Sequence, residues 1–214
     1  MTLQSLEKDI SKFNIKSTYI SESSGRTTTV FVQPYVLKEF SSQKKHRNEW
    51  VTEHDVISTL TKAGIFVPRS YGYKIDESGA SLYKEYIPGD LIQHYTTESL
   101  NELVKMFVEF HKQNVITRDA HEGNIIQTEN NQLVFIDFGK SAIFKKKNLQ
   151  FWLTLSREIF FIRNKVIKDN SLYPVFLNNY LAMQPYKVRW VLKSLFILAC
   201  TVLQLRESLR HRQH

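Results

Sequence analysis

A chain of 214 residues, 42% apolar and 13% aromatic, can bury a real core and is too apolar to be globally disordered. Its single cysteine, Cys200, excludes an internal disulfide framework, suits a reducing compartment and reads as a buried thiol in an apolar run. The formal charge of +8, with a pI near 9.4, favours anionic partners: nucleotide phosphates, nucleic acid or an anionic lipid surface.

The start of the chain carries no cationic segment followed by an apolar stretch, so no secretory signal is expected. The most apolar segment, residues 195–205, is broken by Thr201 and Gln204. It falls short of the roughly 18 residues that a bilayer span needs. A soluble, cytoplasmic protein is expected.

In chain order, residues 27–32 and 35–40 are rich in Thr, Val, Phe and Tyr and predict two strands, with Gln33-Pro34 as the turn. A polar start at Ser41-Ser42-Gln43 opens a helix whose Trp50, Val56, Ile57 and Leu60 share one broad face, with Gly64 as its stop. Two more strands are expected at 69–75 and 81–87, separated by Asp76-Glu77-Ser78-Gly79. Pro88-Gly89 then breaks the pattern. Residues 98–113 read as a helix with Leu100, Leu103, Val104, Phe107, Val108 and His111 on one face. Short strands follow at 124–127 and 133–136, and from Asn148 onward the chain reads as helical, chiefly at 149–167 and 187–210. The expected plan is α+β: a small antiparallel-sheet lobe over residues 1–87 and a mainly helical lobe over 88–214.

The chemistry concentrates in residues 115–140, VITRDAHEGNIIQTENNQLVFIDFGK. Asp119 precedes Asn124 by five positions, and Asp137-Phe138-Gly139 follows a short apolar strand. The pattern is that of a kinase catalytic loop, H-R-D-x-x-x-x-N with D-F-G downstream, with Thr117 in place of the histidine. Phosphoryl transfer needs an in-line acceptor and neutralised negative charge more than covalent help. Asp119 is therefore the candidate base toward an acceptor hydroxyl. Asn124 and Asp137 offer hard oxygen ligands suited to Mg2+. A hairpin running from Asn124 to Asp137 is expected to bring both to one metal. The bland alternative is that these residues only stabilise turns.

Five further positions extend the pattern. Tyr35-Val36-Leu37-Lys38 resembles the V-A-I-K strand, making Lys38 the candidate for the α and β phosphates of ATP. Glu53, with Glu49 as its rival, borders the inward helix face and is the candidate partner of Lys38. No G-x-G-x-x-G loop is present; Ser21 to Arg26, with the lone Gly25, stands in its place to offer N–H groups to phosphate. Glu85-Tyr86-Ile87 falls where such folds bind adenine through the backbone, which marks Glu85 and Ile87.

Together these residues resemble the protein-kinase-like superfamily over residues 17–142. The Asp119-Ala-His121-Glu-Gly-Asn124 loop is closer to the D-x-H-x-x-N loops of sugar and small-molecule kinases than to the D-L-K-x-x-N of typical protein kinases, and His121 joins the candidates for phosphate or substrate contact. With the Arg47-Asn48-Glu49 opening and the basic Lys145-Lys146-Lys147 after the metal aspartate, the chain is similar to lipopolysaccharide-core heptose kinases of the WaaY/RfaY type. That resemblance implies a bilobal fold, ATP and Mg2+ as cofactors, and a sugar hydroxyl of a lipopolysaccharide-core glycolipid as acceptor. It also implies work at the cytoplasmic side, with peripheral contact at the inner membrane. No A-P-E segment follows Gly139, so no phosphorylation-switched activation loop is expected, and Arg118 reads as structural. The competing readings are an atypical serine/threonine kinase or ATPase of the RIO or tRNA-modification-complex type, and a scaffold that keeps the fold without activity. Nucleic-acid binding is the least supported, since no recognised motif accompanies the charge.

Overall fold

The computed structural model describes residues 19–23, 27–32, 35–41, 48–76, 79–186, 189–190, 192–198 and 201–202. The chain divides into two compact units, one of residues 1–89 with 134–140, the other of residues 90–133 with 141–214.

The first unit is built on five antiparallel strands in the order β1-β2-β3-β5-β4: β1 (Tyr19–Ser23), β2 (Thr27–Val32), β3 (Tyr35–Ser41), β4 (Ser70–Asp76) and β5 (Gly79–Glu85). Because side chains alternate across a strand, register decides which ones meet. Val36 lies opposite Lys84, Lys38 opposite Leu82 and Phe40 opposite Ala80, so these six share one face. The other face gathers Tyr35 and Tyr83 with Leu37 and Tyr71, and the Tyr35 and Tyr71 rings meet edge to face at 5.5 Å.

Helix α1 (Glu49–Lys62) turns Glu53, Val56, Ile57 and Leu60 inward, a 3.6-residue stripe. Gly64 follows the helix in the left-handed region at φ +75°, which explains why a glycine stands there. The sheet gains one strand over the sequence reading. Residues 21–23 belong to β1, while Gly25 lies outside the described residues. Strand β9 (Leu133–Phe135) ends in this unit, where the buried Phe135 and Phe138 rings pack 5.1 Å apart.

The second unit is helical. α2 (Thr97–Lys112) starts at a capping box in which Thr96 and Ser99 exchange side-chain and backbone hydrogen bonds, and it buries Leu100, Leu103, Val104, Phe107 and Phe110. α3 (Leu149–Phe161) is capped by Asn148, whose Oδ1 accepts from Phe151 N at 3.0 Å. The sequence predicts one continuous helix over 149–167, but the α-helix gives way to a π-helical turn at Ile162–Ile167. There the Asn164 side chain donates to Phe160 O at 2.8 Å, competing with the backbone for that carbonyl. α4 (Leu172–Ala182) follows.

Short strand pairs complete the unit: β6 (Asp90–Leu91) with β8 (Ile125–Gln127), and β7 (Val115–Ile116) with β10 (Ala142–Ile143). No helix among the described residues is long and apolar enough to cross a membrane. Of the segment 187–210 read as helix, only residues 189–190, 192–198 and 201–202 are described, and they are helical; Cys200 lies outside them.

Candidate active site

In the first unit, β3 delivers Lys38 to the face that α1 covers. Its ammonium donates to Glu53 Oε2 at 2.9 Å and to Asp137 Oδ1 at 2.8 Å. Lys38 is 6% exposed and Glu53 fully buried, so of the two acids weighed on α1, Glu53 is the one that meets the strand lysine.

A second lysine, Lys84 on β5, was missed by the sequence reading. It donates to Glu53 Oε1 in a short hydrogen bond and to Ile136 O at 2.8 Å. Its signal was available in the strand pattern. Lys84 follows Ala80 and Leu82 at intervals of two, so it had to face inward with them. The result is a charge-balanced set of two ammoniums and two carboxylates. Partnering of this kind is what makes buried charge tolerable.

The electrostatics follow from the geometry. Burial alone would lower the Lys38 pKa, but the Glu53 and Asp137 carboxylates outweigh it and hold the ammonium well above the ordinary lysine value. Burial would likewise raise Asp137, yet the Lys38 and Lys84 charges outweigh it and keep the carboxyl well below the usual carboxylate range. Asp137 Oδ1 also accepts Gly139 N at 3.0 Å, which fixes the carboxylate at the turn.

In the second unit, the loop before Asp119 is pinned by a carboxylate that the sequence reading also missed. Glu158 on α3, 1% exposed, takes Thr117 N at 2.6 Å, Thr117 Oγ1 at 2.5 Å and Arg118 N at 3.2 Å on Oε1. Its Oε2 lies 2.5 Å from His111 Nε2, and His111 Nδ1 lies 2.8 Å from the Tyr180 hydroxyl. This buried chain ties α2, α3 and α4 to one loop. Burial and the Glu158 charge push the Tyr180 pKa up, which keeps its hydroxyl protonated as a donor.

Thr117, where the pattern has histidine, thus supplies a hydroxyl donor to a buried acid. Arg118 holds φ +60°, an unfavourable conformation for a non-glycine residue, and the Glu158 bonds to its own N–H and to Thr117 before it help to offset that strain. Its guanidinium lies over the Phe144 ring at 5.8 Å. Glu158 did leave a trace in the sequence. It is a lone acid in a heavily apolar helix, with no other Asp or Glu between residues 140 and 157.

Beyond Asp119, the chain forms a 3-10 turn at Glu122–Asn124, so Asn124 ends a turn rather than beginning a strand. Its Nδ2 donates to Asp119 O at 3.1 Å. A carbonyl only accepts, so the amide orientation is fixed and Asn124 Oδ1 remains as the acceptor. His121 Nε2 stands 3.9 Å from Asp119 Oδ2, near enough for charge interaction and beyond hydrogen-bond reach. Gly123 leaves room for that ring, since a Cβ there would come within 3.1 Å of His121 Nδ1.

At the end of β5, Glu85 N donates to Arg69 O at 2.8 Å and its Oε2 accepts Arg69 N at 3.0 Å, while Ile87 is buried. No group of three or more His, Cys, Asp and Glu side chains with metal spacing occurs among the described residues.

No family model matches the chain. Among curated proteins it is 31% identical over 131 residues to the dual specificity protein kinase zakA of Dictyostelium discoideum, covering 55% of this chain and 16% of that one. It is 25% identical over 153 residues to zak2 of the same organism, covering 68% and 22%. The chain therefore spans about a fifth or less of the length of these relatives. Among solved structures, WbdD bound to the kinase inhibitor LY294002 superposes with a TM-score of 0.56 at 17% identity, over 85% of this chain and 45% of that one. Monomeric WbdD gives 0.55 at 18%, over 79% and 44%. The fold is protein-kinase-like. It is α+β, with a small antiparallel-sheet lobe and a helical lobe.

Proposed function

We propose that the chain is an ATP-dependent phosphotransferase acting on an alcohol group. The observation that carries this reading is the Lys38–Glu53–Asp137 chain, a buried lysine held between a helix acid and the aspartate of an Asp-Phe-Gly turn. In it, Lys38 steadies the nucleotide phosphates with the N–H that its two carboxylate bonds leave over, an ammonium having three. Asp137 and Asn124 would each offer an oxygen to Mg2+, and the ion would neutralise phosphate charge. Asp119 accepts the proton of the attacking hydroxyl. The backbone at Glu85 and Ile87 takes the adenine.

The acceptor in this reading is a sugar of the lipopolysaccharide inner core, a heptose or related sugar, met from the cytoplasmic side with peripheral contact at the inner membrane. Charge supports an anionic, amphiphilic acceptor. Residues 140–214 hold 14 Lys and Arg against three Asp and Glu, a net of +11, whereas the preceding residues are net −3. Lys145, Lys146 and Lys147 are exposed, and Leu149 and Leu153, one turn apart on α3, are 70% and 56% exposed. Cations beside outward-facing aliphatics suit an anionic lipid surface better than a bare phosphate backbone, which offers the leucines nothing.

The identity to zakA favours a second reading, a protein hydroxyl as acceptor. Labelled ATP offered with truncated core glycolipid, or with a generic protein substrate, separates the two. Transfer to the glycolipid is expected. Replacing Lys145, Lys146 and Lys147 with alanine should raise the KM for glycolipid by about tenfold or more, since each basic residue near an anionic surface contributes about 1 kcal/mol, and should leave the KM for ATP unmoved. Transfer to protein alone would replace the sugar reading with the second.

A further inference from the structure

Lys84 has no role in the reaction proposed above, yet it is as deeply placed as Lys38. It is 5% exposed, sits immediately before the Glu85-Tyr86-Ile87 segment, and commits its ammonium to two acceptors. One is the Glu53 oxygen that Lys38 does not use. The other is the carbonyl of Ile136, the residue just before Asp137. Lys84 thus touches both groups that flank Lys38, the helix acid from one side and the strand leading into the aspartate from the other.

We propose that Lys84 is a positioning residue that fixes Glu53 and Asp137 around Lys38, so that the phosphate-binding lysine is set before nucleotide arrives. This rests on the phosphotransferase reading and deepens it. Glu53 alone between helix and strand would be held by one cation, which must also serve Asp137. With Lys84 bonded to its second oxygen, the carboxylate is clamped from both ends and α1 is tied to β3 and β5 together. The same ammonium anchors the backbone one residue ahead of Asp137, so helix, sheet and aspartate form a single connected unit. Such a unit needs no phosphorylated activation loop to draw the helix acid onto its lysine, in keeping with the missing A-P-E segment.

A double-mutant cycle tests this. Lys84→Met should lower kcat by about 100-fold, the scale of an ångström-sized misplacement at a reacting centre. In a Glu53→Gln background the same substitution should cost about tenfold or less, because one of the two groups through which it acts has already been changed and only the bond to Ile136 O remains to be lost. Costs that multiply across the two backgrounds would overturn the proposal. Urea unfolding of the same four proteins gives a readout independent of activity. Non-additive stability changes are expected, and additive ones would overturn the proposal even in an active enzyme. Wild-type protein that binds no nucleotide would sink the phosphotransferase reading and with it the positioning role. Should Lys84→Met not fold, Lys84→Arg, which keeps the charge but changes its reach, takes its place in the cycle.

Discussion

Replacing Asp119 with alanine should lower phosphoryl transfer by about 10²–10⁴-fold, the usual cost of losing a positioned acid–base group, while Mg-ATP binds with little change. The separation of effects is the informative part. Asp119 is one of the few charged groups on a loop whose backbone is held on both sides, by Glu158 at Thr117 and Arg118 and by Asn124 at its own carbonyl. Truncating its side chain leaves those bonds intact, so the loop should keep its shape and the loss should fall on chemistry. Single-turnover transfer measured beside nucleotide titration checks this. Unchanged transfer would remove Asp119 from the mechanism.

Glu158→Ala should be the most destabilising single change in the second unit. It leaves Thr117 N, Thr117 Oγ1, Arg118 N and the buried His111 without their shared acceptor. Each buried donor left without its acceptor costs about 1–3 kcal/mol, read as a shift in the urea midpoint. Transfer should fall as well, because Arg118 holds a strained backbone angle that this acceptor helps to offset. Glu158→Gln keeps one oxygen and the side-chain shape and should cost much less. Equal midpoints for wild type and Glu158→Ala would mean that the loop is held by something else.

Much of this was legible in the sequence, for definite reasons. The α1 stripe of Val56, Ile57 and Leu60, the strand at residues 35–40 that carries Lys38 and the apolar face of the helix through Leu100, Leu103 and Phe107 are local patterns, and the structure shows each of them. The α+β kinase-like architecture was readable because its motifs are short and evenly ordered along the chain. What escaped were residues whose importance depends on distant partners. Lys84 looks like an ordinary strand lysine until the β3–β5 register sets it beside Glu53. Glu158 and His111 lie 47 residues apart, and no local period links them. The two-residue strands β6, β7 and β10 carry too little pattern to be seen, and the π-helical turn arises from one asparagine side chain competing for a backbone carbonyl.

In the proposed reaction Lys38, steadied by Glu53 and Asp137, receives the phosphates of a magnesium-bound nucleotide. Calorimetric titration of ATP into the wild-type protein, with and without Mg2+, and into Lys38→Met and Asp137→Ala, tests it directly. Saturable binding is expected, strengthening with Mg2+, weakening by at least about tenfold in Lys38→Met, and losing its Mg2+ dependence in Asp137→Ala. Binding that is absent in the wild type, or identical in all three proteins, would contradict it.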